Sequence, residues 1–292
     1  MKKQKVSLVL SSGGARGIAH IGVIEELESQ GFEIKSVAGS SMGAVVAGVY
    51  AMGCIEDYKK WLLSLKKTDV LNLMDFTFSK SGLIKGEKVF KAMRTFIPDK
   101  NIEDLEIPFV AVATDIMNEK EVIFSKGSVY DAMRASTAIP TVFKPVNKDN
   151  VILVDGGVLN PLPLNRVHRT ENDILVAVDV YADIPNKIEK RDKEPVKKIK
   201  ILNKESAISK KLKLIDSHKK DMRKPGYLKL IDYATRAMIF KLSEMSVQLY
   251  KPDILIQISR HAGNTFDFYK AEELIEIGRQ AARKSIERLK LQ

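Results

Sequence analysis

Ser36-Val37-Ala38-Gly39-Ser40-Ser41-Met42-Gly43 runs directly into the apolar stretch AVVAGVYAM, residues 44–52. The first three residues are strand-like and the stretch that follows is helix-like. Only a tight turn of the form G-x-S-x-G joins them. A serine on such a turn sits on strained backbone with its hydroxyl exposed, and the glycines on either side keep side chains away from the neighbouring chain. The helix behind it begins at Met42, so its first N–H groups lie near Ser41, where they can meet a developing anion. The bland alternative is a Gly/Ser turn that caps a buried helix. The strand before and the helix after favour a nucleophile elbow made of Gly39, Ser40, Ser41, Met42 and Gly43.

Outward from the elbow, strand-like and helix-like runs alternate. Short apolar runs at 6–10, 36–38, 109–113, 151–154, 174–180 and 254–258 are rich in Val and Ile, as strands covered on both faces should be. Helical patterns fill the gaps at 18–30, 42–52, 55–66, 87–97 and 129–136. In the first of these Ile18, Ile21, Ile24 and Leu27 share one face, and Gly31 is placed to cap the end. The alternation predicts an α/β fold around a mostly parallel sheet.

Ser12-Gly13-Gly14-Ala15-Arg16-Gly17 also lies between a strand and a helix. Such a loop can point several N–H groups at one anionic atom. It could hold a nucleotide phosphate. However, neither G-x-G-x-x-G nor G-K-[ST] is present, and no acid closes the second strand. It could instead form an oxyanion hole for Ser41, since parallel pairing would set the ends of the first two strands side by side. Asp155-Gly156-Gly157 follows the strand-like run 151–154, at the carboxyl end where open α/β sheets place their sites. A turn aspartate is the alternative there.

A serine hydrolase usually sets a histidine between serine and acid. His20 lies one turn into a helix, His168 in a polar stretch, His218 in a lysine-rich segment and His261 in a late loop. None follows a strand in a Gly-rich turn. That leaves a dyad in which Asp155 itself takes the serine proton, which requires its pKa to be tuned by its surroundings. Trp61, Leu62, Leu63 and Leu65 read most simply as the buried face of a helix, with an acyl pocket as the rival use. Asp115 and Asp179 close strands, either as structural residues or near the site.

The three motifs, in this order and spacing, resemble the patatin-like phospholipases. So do Ala135-Ser136-Thr137-Ala138-Ile139-Pro140-Thr141-Val142-Phe143-Lys144-Pro145-Val146 and Asn160-Pro161-Leu162-Pro163. The resemblance spans roughly residues 5–182. It implies a three-layer α/β/α fold and a lipid acyl hydrolase with Ser41 as nucleophile and Asp155 as base. Gly13, Gly14, Ala15, Arg16 and Gly17 would form the oxyanion loop, and no metal or cofactor is implied.

Composition sets the outer limits. One cysteine, Cys54, in 292 residues excludes a disulfide scaffold and a cysteine-rich zinc cluster. No apolar run approaches the ~20 residues of a spanning helix, and the run behind Met1-Lys2-Lys3 is too short for a secretory leader, so the chain reads as cytoplasmic. The net charge of +11 is concentrated. From Lys187 to Lys229 there are 16 basic and 6 acidic residues, a net of +10, so the body is nearly neutral. Residues 185–226 therefore read as a lysine-rich insertion, followed by a helix-strand-helix unit over 227–292. Val196, Ile199, Leu202, Ile208, Leu212 and Ile215 recur among its lysines, the pattern of a segment lying on an anionic membrane. A solvated linker packing on the body, or on a second subunit in a homodimer, is the alternative. Nucleic acid ranks last, because no aromatics are interleaved to stack on bases. A non-catalytic binding module is a further rival, opposed by the intact elbow and aspartate.

Overall fold

The computed structural model describes residues 3–79, 82–148, 150–185 and 226–290. The lysine-rich insertion, including its six apolar residues from Val196 to Ile215, lies outside the described residues.

Alternating burial shows where the strands sit. In β1 (Gln4–Leu10), Val6, Leu8 and Leu10 enter one apolar core and Val9 enters a second on the opposite face. β2 (Phe32–Ser40) divides the same way, with Val37 in the first core and Ala38 in the second. So does β9 (Asp173–Ala182): Val176, Val178 and Val180 face one core, Leu175 and Ala177 the other. β10 (Ile254–Ser259) repeats the pattern. In β1, β2 and β9 both faces are covered, which is why these strands read as unbroken apolar runs; at the edge strand β10 Gln257 is exposed on the second face.

The remaining strands of the main sheet are β5 (Phe109–Asp115), β6 (Lys120–Phe124), β7 (Val146–Lys148) and β8 (Val151–Asp155). The order is β10-β9-β1-β2-β5-β8-β7, with β6 also paired to β5. A separate hairpin joins β3 (Phe76–Ser79) and β4 (Gly82–Ile84). The first core is covered by α1 (Ala19–Ser29), α2 (Met42–Ala51), α3 (Ile55–Ser64), α6 (Val129–Ser136) and α8 (Ala271–Lys290). Two short helices, α4 (Lys67–Leu73) and α5 (Glu87–Arg94), bracket the hairpin. On the other face lie Leu162, Leu164, Val167 and a long helix, α7 (Tyr227–Tyr250), which packs there through Val247.

Five strands, β10-β9-β1-β2-β5, run parallel as the α/β alternation predicts. The strand that carries Asp155 does not follow the common direction, because β8 is antiparallel to β5. This reversal makes the site. β6 occupies one edge of β5 over 111–115. On the other edge β2 stops at Ser40 opposite Val112, and β8 ends at Asp155 opposite Ala113. The carboxyl ends of β2 and β8 therefore meet head-on against β5. β1 sets Leu10 opposite Gly39, which brings the glycine loop alongside the same point.

Candidate active site

Ser41 holds φ 52° and ψ −124°, a combination side chains avoid and one that costs on the order of 1–3 kcal/mol. Contacts on both sides fix it. A methyl group built on Gly39 would come within 2.4 Å of the Gly43 carbonyl, and one on Gly43 within 2.2 Å of the Leu10 carbonyl. Only glycine lets β2, α2 and β1 approach so closely. The Ser41 N–H donates to Ser136 Oγ at 2.8 Å, and the Ser136 hydroxyl donates to the Val112 carbonyl at 2.6 Å. Ser136, the last residue of α6, thus ties the strained peptide to the central strand. The family-like stretch 135–146 singled out its neighbourhood but not this role, because its partners are 95 and 24 residues away.

The Ser41 hydroxyl donates to Asp155 Oδ2 at 2.5 Å. Asp155 Oδ1 accepts the Gly157 N–H at 2.7 Å, and the Asp155 backbone is held by Ala138 and Thr114. Gly156 and Gly157 are packed too tightly for side chains, against Val112 and Ser40 in one case and Ser12 in the other. Burial disfavours the Asp155 carboxylate and pushes its pKa up to about 7, against the opposing pull of the Ser41 hydroxyl and the Gly157 N–H. At neutral pH the carboxyl is therefore balanced between proton donor and acceptor.

The glycine loop lies beside this pair. Gly14 has φ +54°, and Gly14 to Ile18 form a 3-10 turn that leads into α1. The Ala15 N–H is already given to the Thr265 carbonyl at 3.0 Å, and the Ser12 N–H to Pro161 at 2.8 Å. The N–H groups of Gly13 and Gly14 have no acceptor among the described residues. Gly17 packs on the elbow, where a methyl group would come within 2.6 Å of Met42 Cγ. Arg16 is turned away from Ser41 and buried. Its Nη1 donates to the Gly263 carbonyl at 2.9 Å, and its guanidinium lies 4.8 Å from the Tyr181 ring centre. No carboxylate pairs with it among the described residues.

The histidines lie elsewhere. His20 is buried, its Nε2 bonded to the Ser11 carbonyl at 2.9 Å, and burial pushes its pKa down to about 4. His168 enters through its backbone carbonyl, which accepts the Ser7 and Ser36 hydroxyls. His261 is exposed, and His218 lies outside the described residues. Asp115 caps a turn at Met117 and Asn118, and Asp179 accepts the Tyr181 N–H. Neither reaches Ser41.

Ser41 and Gly14 open into a cavity whose wall is otherwise almost wholly apolar. Trp61, Leu62 and Leu65 contribute from α3 and its end, Val89, Phe90 and Met93 from α5, and Phe266 and Phe268 from the segment after β10. Trp61, Leu62 and Leu65 serve both readings, packing on the core as the buried face of a helix and lining the cavity; Leu63 instead faces solvent. The rest of the wall could not be read locally, since α4, α5 and the hairpin are short and reach the cavity only through tertiary packing. Asp75 anchors this wall by accepting the N–H groups of Gly86 and Glu87, which caps α5 from a distance.

Comparison with known proteins follows the same residues. The model of the patatin-like phospholipase family matches residues 8–168. An uncharacterised NTE family protein of Mycobacterium tuberculosis is 44% identical over 176 residues, covering 60% of this chain and 49% of that protein. The mouse patatin-like phospholipase domain-containing protein 6 is 32% identical over 183 residues, covering 60% of this chain and 13% of that much longer protein. The alignment thus takes in at most about half of either relative. The matched span of this chain contains the elbow, the glycine loop and the aspartate motif together. The chain belongs to the patatin-like phospholipase family.

Proposed function

We propose that this protein hydrolyses carboxylic esters of lipids, phospholipids or lysophospholipids, through a Ser41–Asp155 dyad. The observation that carries the reading is the 2.5 Å contact between Ser41 Oγ and Asp155 Oδ2 at the wall of an apolar cavity. Ser41 Oγ attacks the ester carbonyl carbon as its proton passes to Asp155. The N–H groups of Gly13 and Gly14 receive the oxyanion. The tetrahedral intermediate collapses, and the alcohol leaves with the proton from Asp155. Water then attacks the acyl-Ser41 ester with Asp155 again as base, and the fatty acid is released. The apolar wall accounts for the acyl chain. It also argues against the rival reading of the glycine loop as a nucleotide phosphate site, because a nucleotide would find few polar partners there. Labelling of Ser41 by a fluorophosphonate, followed by product analysis on a panel of lipid esters, tests the proposal. Nucleotide-dependent thermal stabilisation without labelling would overturn it.

Two expectations follow from the geometry. Asp155 must be ionised to accept the Ser41 proton, so kcat/KM for a short soluble ester should fall by up to about tenfold per pH unit below 7 and level off above it. A profile that is flat from pH 5 to 8 would remove Asp155 as the base. Ser136→Ala leaves the Ser41 N–H and the Val112 carbonyl without their partner. It should lower stability by about 1–3 kcal/mol and kcat by about tenfold, with little change in KM if the strained turn relaxes. An unchanged kcat would show that the elbow holds its shape without this contact.

Among the described residues no helix is long and apolar enough to cross a membrane. The proposal extends to place: a cytoplasmic enzyme that meets its lipid at an anionic inner membrane face. The net +10 between residues 187 and 229 supports this reading.

A further inference from the structure

Among the described residues, α7 carries the largest concentration of exposed large apolar side chains. Leu230 is 56% exposed, Tyr233 50%, Met238 58%, Met245 53% and Leu249 70%. At about 100° per residue these five share one face of the helix with exposed Ala234 and Ala237; the face is unbroken from Leu230 to Met238, and Lys241, Glu244 and Gln248 interrupt it further on. Ile239, Ser243 and Val247 occupy the opposite face and pack on the body. Single exposed apolar residues need no account, but a stripe of five on one helix does.

The position of the helix gives the stripe an orientation. Phe240 lies beneath the guanidinium of Arg260, the first residue past the carboxyl end of β10. From there α7 descends along the sheet to Tyr250 and turns into the start of β10. Its first twelve residues, 227–238, lie ahead of that contact, about 18 Å of helix at ~1.5 Å per residue. Consistently, none of the described side chains from 226 to 242 is buried, and the first buried one is Ser243. Ser41 sits at that same edge of the sheet, at the end of β2.

We propose that this apolar face of α7 is the surface by which the protein docks on an anionic lipid bilayer, with Leu230, Tyr233 and Met238 entering the headgroup layer beside the catalytic edge. The choice of occupant rests on charge. The chain's surplus of positive charge lies in the sequence immediately ahead of this helix, while the rest is almost neutral. An apolar stripe next to a cationic run is the pairing that anionic membranes retain, because burial and electrostatic attraction add. The inference rests on the lipid-hydrolase reading for its choice of a bilayer, but its test is separate.

The test is flotation with vesicles of phosphatidylglycerol mixed with phosphatidylcholine, and of phosphatidylcholine alone. The full chain is compared with its Leu230→Gln/Tyr233→Gln/Met238→Gln variant, and with Met245→Gln/Leu249→Gln. The wild type should bind the anionic vesicles, less so at high salt. The triple variant should lose about tenfold or more of that binding while its hydrolysis of a short soluble ester is unchanged. Equal capture of both proteins, or no capture of the wild type, overturns the docking surface. So does a wild-type dimer that the triple variant dissociates, which would make the stripe a subunit interface. Vesicle binding without ester hydrolysis would leave the docking surface standing and defeat the enzymatic reading; hydrolysis without vesicle binding would do the reverse.

Discussion

Ser41→Ala is expected to lower ester turnover by about 10⁴-fold or more, and Asp155→Asn to do the same, with the double variant little worse than either. The two side chains perform one proton transfer, so removing either leaves the other without a task. Steady-state rates on a short soluble ester, with folding checked by circular dichroism, decide the matter. If His20→Ala proved equally damaging in a folded protein, the dyad would have to give way to a triad. The structure argues against that, because His20 is bonded to the Ser11 carbonyl and Ser41 to Asp155. Stability gives a second readout with a definite sign. The Asp155 carboxyl has a folded pKa of about 7, above the ~3.9 of an unfolded aspartate. The folded state therefore holds this proton more tightly, and the aspartate subtracts stability as pH rises from about 4 to 7. Asparagine carries no charge and removes that slope. Asp155→Asn should be the more stable protein at pH 8, with its advantage shrinking by up to about 1.4 kcal/mol per pH unit on going from 7 towards 4. Denaturant melts at pH 5 and 8 measure it. A variant that is dead yet more stable is what a site built at the expense of folding should give.

What the sequence made legible follows from how local each interaction is. The elbow is spelled out because strand, turn and helix are consecutive, and because the backbone contacts at Gly39 and Gly43 admit no other residue. The glycine loop is legible for the same reason. Asp155 could be singled out by its place after an apolar run, but not the direction of its strand. Parallel and antiparallel strands buried on both faces carry the same Val/Ile pattern, and only the pairing of β8 with β5 reveals the reversal. Ser136 and the cavity wall were less visible still. Nothing local sets Phe90 or Phe266 apart, Phe143 stood out only as part of the family-like stretch 135–146, and their common cavity exists only after the hairpin and α5 pack against α3. The exposed face of α7 has a similar history. Its residues fit a helix pattern, and it takes the fold to show that the apolar side is the one left uncovered.

The glycine loop gives the other large effect. Gly14 sits at φ +54°, and a Cβ there would lie 3.0 Å from Thr265 Cγ2 and 3.1 Å from the Thr265 carbonyl oxygen. A β-branched residue is disfavoured at that φ and would press on the segment whose carbonyl already holds the Ala15 N–H. The backbone must then turn, and the Gly14 N–H moves off the point where the oxyanion forms. Gly14→Val should therefore lower kcat by about 10²–10³, the scale of one lost oxyanion donor, while KM changes less because the part of the apolar wall supplied by α3 and α5 is untouched. Gly14→Ala, with less bulk at the same φ, should fall between the two. The split between kcat and KM separates this from general damage, since a misfolded fraction lowers the active concentration without setting a graded order of Gly, Ala and Val. Burst-phase labelling by a fluorophosphonate supplies the active concentration. If Gly14→Val turned over as fast as the wild type per active site, the Gly13–Gly14 N–H groups would not be the oxyanion donors. The N–H groups at the start of α2, beginning with Met42, would then be the place to look.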